Sequence, residues 1–390
     1  MDIDLCSHDL SYMHGDTPRS VTRNVRNLQI SKPIRTTEQY CNMMYTVASH
    51  LIEDLTKQSF ADFLKERIWV PLGMTSTFIQ PDAVIAAGLK DRLFVPHRWD
   101  NDEKRYYPAR TQQIPEAQGA GSVFTCVDDY ILWIKALINH EGPVTKDVVS
   151  GMLKPRTISN PNDCSDDDLE PFSSPTMYAA GLEVWYYRGH KIVAHSGGDP
   201  GIGAYIFFLS GRRFGGVLFG NSWRAAEVAT IIARELTDTV LGVPELERPD
   251  WNARYHKDDD EYHAKKDDRW RELFGVPTDG DIPASEPQGQ ALDGYTGTYS
   301  NVGYKDMVVE IKDDRLYIDA TDRTMGFYLH LEHFKDQDKY IAHSEDYYDG
   351  AKGKLAVKFR FEGNNDRPAS MGVDLEEGVG DYIWFDRSGS

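Results

Sequence analysis

The 390-residue chain carries 62 acidic and 43 basic side chains, and 40% of its residues are hydrophobic. Its formal charge of −19 would repel nucleic acids and anionic membranes, which argues against a general role in binding either. The length and the apolar content are sufficient for two ordinary domains with hydrophobic cores.

The cysteines and the first residues bear on the cellular compartment. Cys6, Cys41, Cys126 and Cys164 are scattered without metal-ligand spacing, so we interpret them as reduced thiols of a cytoplasmic protein. No apolar run reaches the roughly 18 residues that a transmembrane helix needs. The acidic segment 1–10 has no apolar core, so it does not resemble a signal peptide.

Two amphipathic helices are predicted after a polar, weakly patterned segment over residues 1–39. The first covers 43–57 and the second 59–69, since apolar side chains recur there at helical spacing. Ser59 is the expected N-cap of the second helix, with Asp62 as a capping-box-like partner. The apolar positions of the first helix are Met44, Val47, Leu51 and Leu55.

Two further helices are predicted, the first of them after a loop-rich, polar region over residues 79–117. One covers 125–140, with Thr125 as N-cap and Asp128 at the third helical position. The other covers 224–241. The former is expected to bury Val127, Ile131, Ile134 and Ile138, and the apolar positions of the latter are Val228, Ile232, Leu236 and Val240.

An antiparallel sheet is predicted around the segment His195-Ser196-Gly197-Gly198. The runs that flank it are rich in Val, Ile, Phe, Tyr and Trp and end at glycine or charged residues, as strands do. Glycines at a strand edge allow a ligand or another backbone to come close. A glycine-rich hairpin with a satisfied histidine is the alternative interpretation. The predicted strands are 182–188, 190–196, 203–209 and 214–220.

A dense run of charges separates the two halves of the chain. We interpret residues 246–289 as a charged helical linker. His256, Asp260 and His263 have a spacing that could suit a metal, but a run of charges is more typical of a solvated helix face. We therefore predict no metal and no cofactor.

The last hundred residues have the pattern of an antiparallel barrel or half-barrel. Short strand-like runs alternate with Gly, Asp and Asn turns at a spacing near ten residues. We expect three regions: a domain over 1–245, the linker, and a lipocalin-like barrel over 290–390 with an accessory role. The predicted barrel strands are Met307–Ile311, Arg315–Ile318, Phe327–Leu331, Lys339–Ala342, Leu355–Phe361 and Tyr382–Asp386.

Four motifs, in order along the chain, resemble those of the serine β-lactamase-related family, which groups class C β-lactamases, penicillin-binding peptidases, D-aminopeptidases and esterases. Tyr40-Cys-Asn-Met-Met-Tyr45 resembles its Tyr-x-Asn-x-x-Tyr element, and Pro71-Leu-Gly-Met-Thr-Ser-Thr77 its Pro-Leu-Gly-Met element. Gly119-Ala-Gly-Ser122 resembles the start of a family helix, and His195-Ser-Gly-Gly198 its His-x-Gly strand. The resemblance covers about residues 40–245. It implies an α+β, β-lactamase/transpeptidase-like fold with an antiparallel sheet and flanking helices, followed by the barrel.

The resemblance also implies roles for individual residues. In the family a serine attacks an ester or amide carbonyl and forms an acyl-enzyme. Tyr40 would serve as or assist the general base, which requires nearby cations to stabilise its phenolate. Asn42 would hold the substrate in register, and His195 would line the opposite wall and donate to it. Gly197 and Gly198 would belong to the oxyanion hole.

In the family, a lysine three residues after the nucleophilic serine helps to deprotonate it. The sequence departs from this pattern, because none of its serines has a lysine at that position. We interpret the chain as a family member whose N-terminal part is missing. Ser196 neighbours His195, but adjacent strand residues point to opposite faces, so the two do not form a nucleophile–base pair. Two hypotheses remain. The chain is a serine hydrolase or acyltransferase, impaired here, or it is a pseudoenzyme that keeps the cleft for binding.

The expected partner is a small ester or amide molecule, and neither a nucleic acid nor a membrane is expected. Missing N-terminal strands would leave a sheet edge unpaired and apolar surface uncovered. The sequence therefore also predicts self-association.

Overall fold

The computed structural model describes residues 9–33, 38–100, 103–159, 169–222, 224–278, 281–363 and 366–389; the side chains of 258–268 and 377 are outside the description. Within it, a mixed region of helices and sheets precedes a closed barrel. The described helices are α1 (Pro18–Asn24), α2 (Asn42–Thr56), α3 (Phe60–Leu64), α4 (Val70–Leu72), α5 (Pro81–Ala86), α6 (Val127–Asn139), α7 (Lys146–Met152), α8 (Ala225–Leu241) and α9 (Trp251–Phe274).

The local signals for the second predicted helix are confirmed. Ser59 caps α3, and its Oγ accepts a hydrogen bond from the Asp62 backbone N–H at 3.0 Å. A π-helical turn over Lys65–Trp69 joins α3 to α4, and Gly73 ends the run with φ +77°. This left-handed conformation favours glycine, so the chain turns sharply there.

A six-stranded antiparallel sheet forms the centre of the first region, in the order β10-β9-β8-β7-β6-β5. The four predicted strands are confirmed as β7 to β10. The structure adds two short strands at the far edge and two separate two-stranded sheets, β1 with β4 and β2 with β3. The strands are β1 (Phe78–Ile79), β2 (His97–Asp100), β3 (Arg105–Pro108), β4 (Val123–Phe124), β5 (Thr157–Ile158), β6 (Met177–Tyr178), β7 (Glu183–Tyr187), β8 (His190–Asp199), β9 (Ile202–Leu209) and β10 (Phe214–Gly220).

Helices cover both faces of this sheet. Alternate strand residues point to opposite sides. Val193 and Phe208 therefore share one cluster with Leu137 of α6, whereas Ala194 and Phe207 contribute to another that contains α8 residues and the start of α9. The result is a three-layer arrangement with a hydrophobic core on each side of the sheet.

The face of α8 that packs on the sheet carries small side chains. Ala226, Ala229 and Ala233 are buried, whereas the apolar stripe that the sequence suggested is exposed. Gly203 explains this: a Cβ there would lie 2.2 Å from the backbone nitrogen of Ala226, so the helix sits directly on the strand backbone. Close backbone approach selects the alanines and leaves the longer aliphatic side chains outside. The exposed fractions are 52% for Val228, 42% for Ile232 and 40% for Leu236.

Two other helix predictions need correction. Cys126, not Thr125, is the N-cap residue of α6, and the Thr125 hydroxyl instead contacts that of Thr77 at 2.8 Å. Val127 and Ile131 of its predicted buried stripe are exposed, whereas Ile134 is buried. In α2 the apolar positions Met44, Leu51 and Leu55 are also exposed, and the helix buries Met43, Thr46 and Ser49 instead.

The antiparallel barrel predicted from the sequence is confirmed, and eight strands close it. The strands Gly297–Asn301 and Pro368–Val373 were not predicted. The interior is filled by side chains such as Tyr295, Tyr299 and Phe359 rather than hollow. The strands are β11 (Gly297–Asn301), β12 (Lys305–Lys312), β13 (Arg315–Ala320), β14 (Phe327–Lys335), β15 (Lys339–Asp346), β16 (Lys352–Phe361), β17 (Pro368–Val373) and β18 (Ile383–Arg387).

Helix α9 lies within the predicted charged linker and packs against both regions. Trp251, at its start, is fully buried behind the sheet and donates its indole N–H to Asp238 at 2.9 Å. Trp270, near its end, is buried against the barrel, and Arg269 beside it donates to Asp374 of the barrel at 3.0 Å. The charged helix is thus anchored at each end by an aromatic side chain.

Candidate active site

Tyr40 and Asn42 lie at the start of α2. Asn42 is the first residue of the helix, and Cys41 is its N-cap residue. The Asn42 side chain donates a hydrogen bond to Asp9 Oδ2 at 2.7 Å. Asp9 therefore joins the site from a segment in which the sequence showed no pattern.

The structure brings Tyr40 and His195 together. Their ring centroids are 6.1 Å apart, and the Tyr40 ring also lies 5.6 Å from Tyr45 and 6.4 Å from Tyr178. We call these four residues the tyrosine–histidine cluster. Tyr178 lies on β6, two strands away from His195, and no motif in the sequence analysis singled it out.

Hydrogen bonds connect three members of the cluster. The Tyr45 and Tyr178 hydroxyls lie 2.5 Å apart, and the Tyr178 hydroxyl is 3.2 Å from His195 Nε2. His195 Nδ1 lies 2.5 Å from the carbonyl oxygen of Ser196. A carbonyl only accepts, so Nδ1 must carry the proton of the neutral ring. Nε2 is then an acceptor that faces the Tyr178 hydroxyl, whose single proton can be donated either to Nε2 or to the Tyr45 hydroxyl.

These contacts bear on the role expected for His195, which stays a prediction. Both ring nitrogens are engaged within the protein, so in this arrangement the imidazole does not donate to a substrate. Tyr178 would have to release Nε2 first. His195 also contacts the carbonyl of Ser196 and not its hydroxyl, which agrees with the expectation that the two side chains do not form a catalytic pair.

Glycines bring the supporting segments close to the cluster. A Cβ at Gly119 would lie 2.1 Å from the carbonyl oxygen of Tyr45, so only glycine allows this loop to touch α2. Gly197 and Gly198 lie within β8, paired with Ala204 and Gly203 of β9. Their place in an oxyanion hole stays a prediction, as do the catalytic roles of the other site residues.

The electrostatic environment of Tyr40 opposes its use as a base. Burial raises the pKa of the phenol, and the neighbouring Tyr45, Asp9, Cys41 and Asp199 raise the pKa further. Every one of these groups is neutral or negative, so each disfavours a phenolate. The cation that the family mechanism requires beside this tyrosine is not among them.

Asp199, at the end of β8, is the most perturbed carboxyl group near the cluster. Burial, with a smaller contribution from the charge of Asp9, raises the pKa of Asp199 to about 7. A Cβ placed on Gly121 would lie 3.3 Å from its Oδ2, so the glycine loop closes over it. Asp199 is thus partly protonated near neutral pH and could supply or take a proton there.

Metal-ligating groups and membrane-spanning helices were sought outside the tyrosine–histidine cluster. The part of the chain that the structure describes contains no group of three or more metal-ligating side chains. His256 lies 3.5 Å from Glu227, while the Asp260 and His263 side chains are outside the description. None of the described helices is both long and apolar enough to cross a membrane.

Comparisons with known proteins agree with the order of the motifs. A family model described as Beta-lactamase matches residues 3–235, and a model described as a domain of unknown function (DUF3471) matches residues 281–387. The unguisins hydrolase of Aspergillus campestris is 30% identical over 388 residues, which cover 96% of this chain and 68% of that protein. The D-aminopeptidase of Brucella anthropi is 24% identical over 260 residues, 63% of this chain and 45% of that protein.

Solved structures also show a similarity to this chain. The octameric penicillin-binding protein homologue from Pyrococcus abyssi is 18% identical, with a TM-score of 0.48 over 95% of this chain and 70% of that chain. This chain therefore spans between 45% and 70% of the length of these relatives.

Proposed function

This chain belongs to the beta-lactamase family, and from that premise we propose that its cleft binds a small ester or amide molecule without forming an acyl-enzyme. In this proposal Tyr40, Asn42 and His195 line the binding site, and Gly197 and Gly198 form its strand wall.

The surroundings of Tyr40 are the observation that carries this proposal. Acyl transfer in the family requires a serine, a lysine and a tyrosine acting together, and such groups do not contribute additively. This sequence has no Ser-x-x-Lys, and the groups that act most strongly on Tyr40 all raise its pKa. A neutral phenol does not take a proton from a hydroxyl group, so the parts that remain favour binding over turnover.

The second candidate is an active serine hydrolase or acyltransferase. Family membership supports it, as do relatives whose names identify them as a hydrolase of unguisins and a D-aminopeptidase. It requires a nucleophile from outside the motifs of this chain. Both candidates share the same substrate class, so they differ in whether a covalent adduct forms.

The experiment uses intact-mass spectrometry after incubation with a fluorophosphonate and with a β-lactam. We expect no mass increase, and we expect activated esters to be hydrolysed no faster than by Tyr40→Phe. Binding of the uncleaved β-lactam is measured in parallel by calorimetry. A stoichiometric adduct on any serine would overturn the proposal in favour of the active hydrolase, and absent binding would remove the ligand-binding part.

We also propose that the chain self-associates through α8 and the neighbouring sheet edge. Val228, Ile232 and Leu236 form an exposed aliphatic stripe on α8, and β10 is the last strand of the sheet in the described part of the chain. An open strand edge beside an apolar surface is the usual starting point for association. Light scattering over a range of concentrations tests this, and a monomer throughout would contradict it.

A cytoplasmic location is proposed from the cysteine pattern of the sequence. The four cysteines are scattered along the chain without metal-ligand spacing, as is usual in a protein kept in a reducing compartment. Fractionation of cells that produce the tagged chain would test this, and recovery in the secreted fraction would contradict it.

A further inference from the structure

A groove separates the segment around α1 from the end of the barrel. It consists of two cavities, of about 340 and 280 Å³, which share Arg26 and Asn27 in their walls. We call it the junction groove. Neither cavity is lined by Tyr40 or His195, so the groove is separate from the tyrosine–histidine cluster.

Backbone packing fixes the two walls of the junction groove. Asn24, which is buried, donates its side-chain N–H to the Gly303 carbonyl at 2.8 Å. A Cβ at Gly303 would lie 2.8 Å from Leu28, so the hairpin between β11 and β12 touches the segment directly. The Asn301 side chain accepts N–H groups from Gly303 and Tyr304, which holds the hairpin in shape. These contacts hold the two walls of the junction groove in place.

The larger cavity is cationic in a strongly acidic protein. Arg23, Arg26 and Lys305 line it, and none of the three forms an ion pair with a carboxylate in the described part of the chain. The carboxylate of Asp16 lies in the same wall, but it accepts hydrogen bonds from Ser20 at 2.7 Å and from a backbone N–H at 3.1 Å. Three positive charges and one negative charge thus line one space, which leaves it net positive, while the whole chain carries −19.

The smaller cavity has a different character. Leu28 lies on one side, and Tyr304, Tyr382 and Trp384 contribute aromatic surface on the barrel side. Arg26 stands between the two cavities because it lines both. A molecule that occupies the whole groove therefore meets cations at one end and aromatic rings at the other.

We propose that the junction groove binds a small amphipathic anion. Its carboxylate or phosphate lies against Arg23, Arg26 and Lys305, where charge-assisted hydrogen bonds are strong. Its aromatic or aliphatic body lies in the smaller cavity, which has a size suited to part of a small-molecule ligand. Because the walls belong to different regions of the chain, the bound anion holds α1 against the barrel.

The test uses 4-phenylbutyrate as the probe in isothermal titration calorimetry with the full chain. Three matched probes separate the contributions: 4-phenylbutanol keeps the body without charge, 4-phenylbutylamine reverses the charge, and inorganic phosphate keeps only the anion. We expect 4-phenylbutyrate to bind at least about tenfold more tightly than each of the three. Equal affinity for the alcohol, or for phosphate alone, would overturn the amphipathic assignment.

Charge variants then locate the site. Lys305→Gln and the double variant Arg23→Gln/Arg26→Gln should each weaken binding about tenfold or more, since each loses a charge-assisted contact. Lys352→Gln/Lys354→Gln, on β16 outside the groove, removes two charges and should leave the affinity unchanged. Circular dichroism confirms folding, and the single Lys305 variant decides the question if the double variant does not fold. Unchanged affinity in Lys305→Gln, or no binding of 4-phenylbutyrate below about 10 mM, would overturn the proposal.

Discussion

Replacing Asp199 by Asn should make the protein more stable at alkaline pH than the wild type. The folded protein raises the pKa of this carboxyl group from 3.8 to about 7, so it holds the proton more tightly than the unfolded chain does. That proton stabilises the fold fully below about pH 4, and the contribution is lost as the pH rises towards about 7. Asparagine has no charge to bury, so the variant does not suffer this loss.

The magnitude follows from the two pKa values. A difference between 3.8 and about 7 corresponds to about 4 kcal/mol, at about 1.4 kcal/mol for each tenfold change in proton affinity. Asp199 retains some solvent exposure, and water screens part of the interaction. We therefore expect the variant to gain about 2 kcal/mol over the wild type between about pH 4 and pH 8.

The assay is urea unfolding followed by tryptophan fluorescence at both pH values. The free energy of unfolding of the variant is compared with that of the wild type at each pH. The difference at low pH is then subtracted from the difference at high pH, which removes any pH-independent effect of the amide. Asp313→Asn, in the exposed turn between β12 and β13, removes the same charge and serves as the control. The reasoning fails if both variants show the same pH dependence, since the effect would then come from net charge alone.

Three further predictions concern the cluster, the glycine loop and the exposed helix. Tyr178→Phe should lower the free energy of unfolding by about 1–2 kcal/mol. It should also let His195 populate both neutral tautomers, because Nε2 loses its hydroxyl partner, and nitrogen-15 NMR would detect this. An unchanged imidazole spectrum would contradict a hydrogen bond from Tyr178 to Nε2. Gly119→Ala should cost about 3 kcal/mol or more, because its Cβ would lie 2.1 Å from a carbonyl oxygen of α2. The control Gly151→Ala, in α7 with open space around it, should be neutral or stabilising. Ile232→Glu should shift light scattering towards the monomer, and an unchanged molecular mass would exclude the α8 stripe as the interface.

The sequence was informative about where elements lie and less so about which face each buries. Periodicity located α8 correctly, yet it pointed to Ile232 as a core residue. The packed face is selected by Gly203 on a strand twenty residues away, and one-dimensional spacing does not contain such a contact. In the barrel, β17 was missed because Pro368-Ala-Ser-Met-Gly372 has few β-branched residues, although its neighbours bury it.

The candidate site, too, was predicted only in part. The resemblance paired Tyr40 with His195, and their rings do lie side by side. It did not reveal Tyr178 or Asp9, because both reach the site from stretches without a motif, or Asp199, because its burial depends on contacts that the sequence does not show. The pKa of a buried phenol depends on such neighbours, and the sequence alone does not place them around Tyr40.

The closed barrel has a consequence for how the protein is made in the cell. β11 completes its pairing only against β18, where Tyr299 meets Arg387, a partner 88 residues later in the chain. At a synthesis rate of about 5–20 residues per second, the early strand waits about 4–18 seconds for that partner. Throughout this interval every partial sheet keeps an open edge and an uncovered apolar face. The nascent barrel should therefore depend on chaperones until β18 emerges from the ribosome.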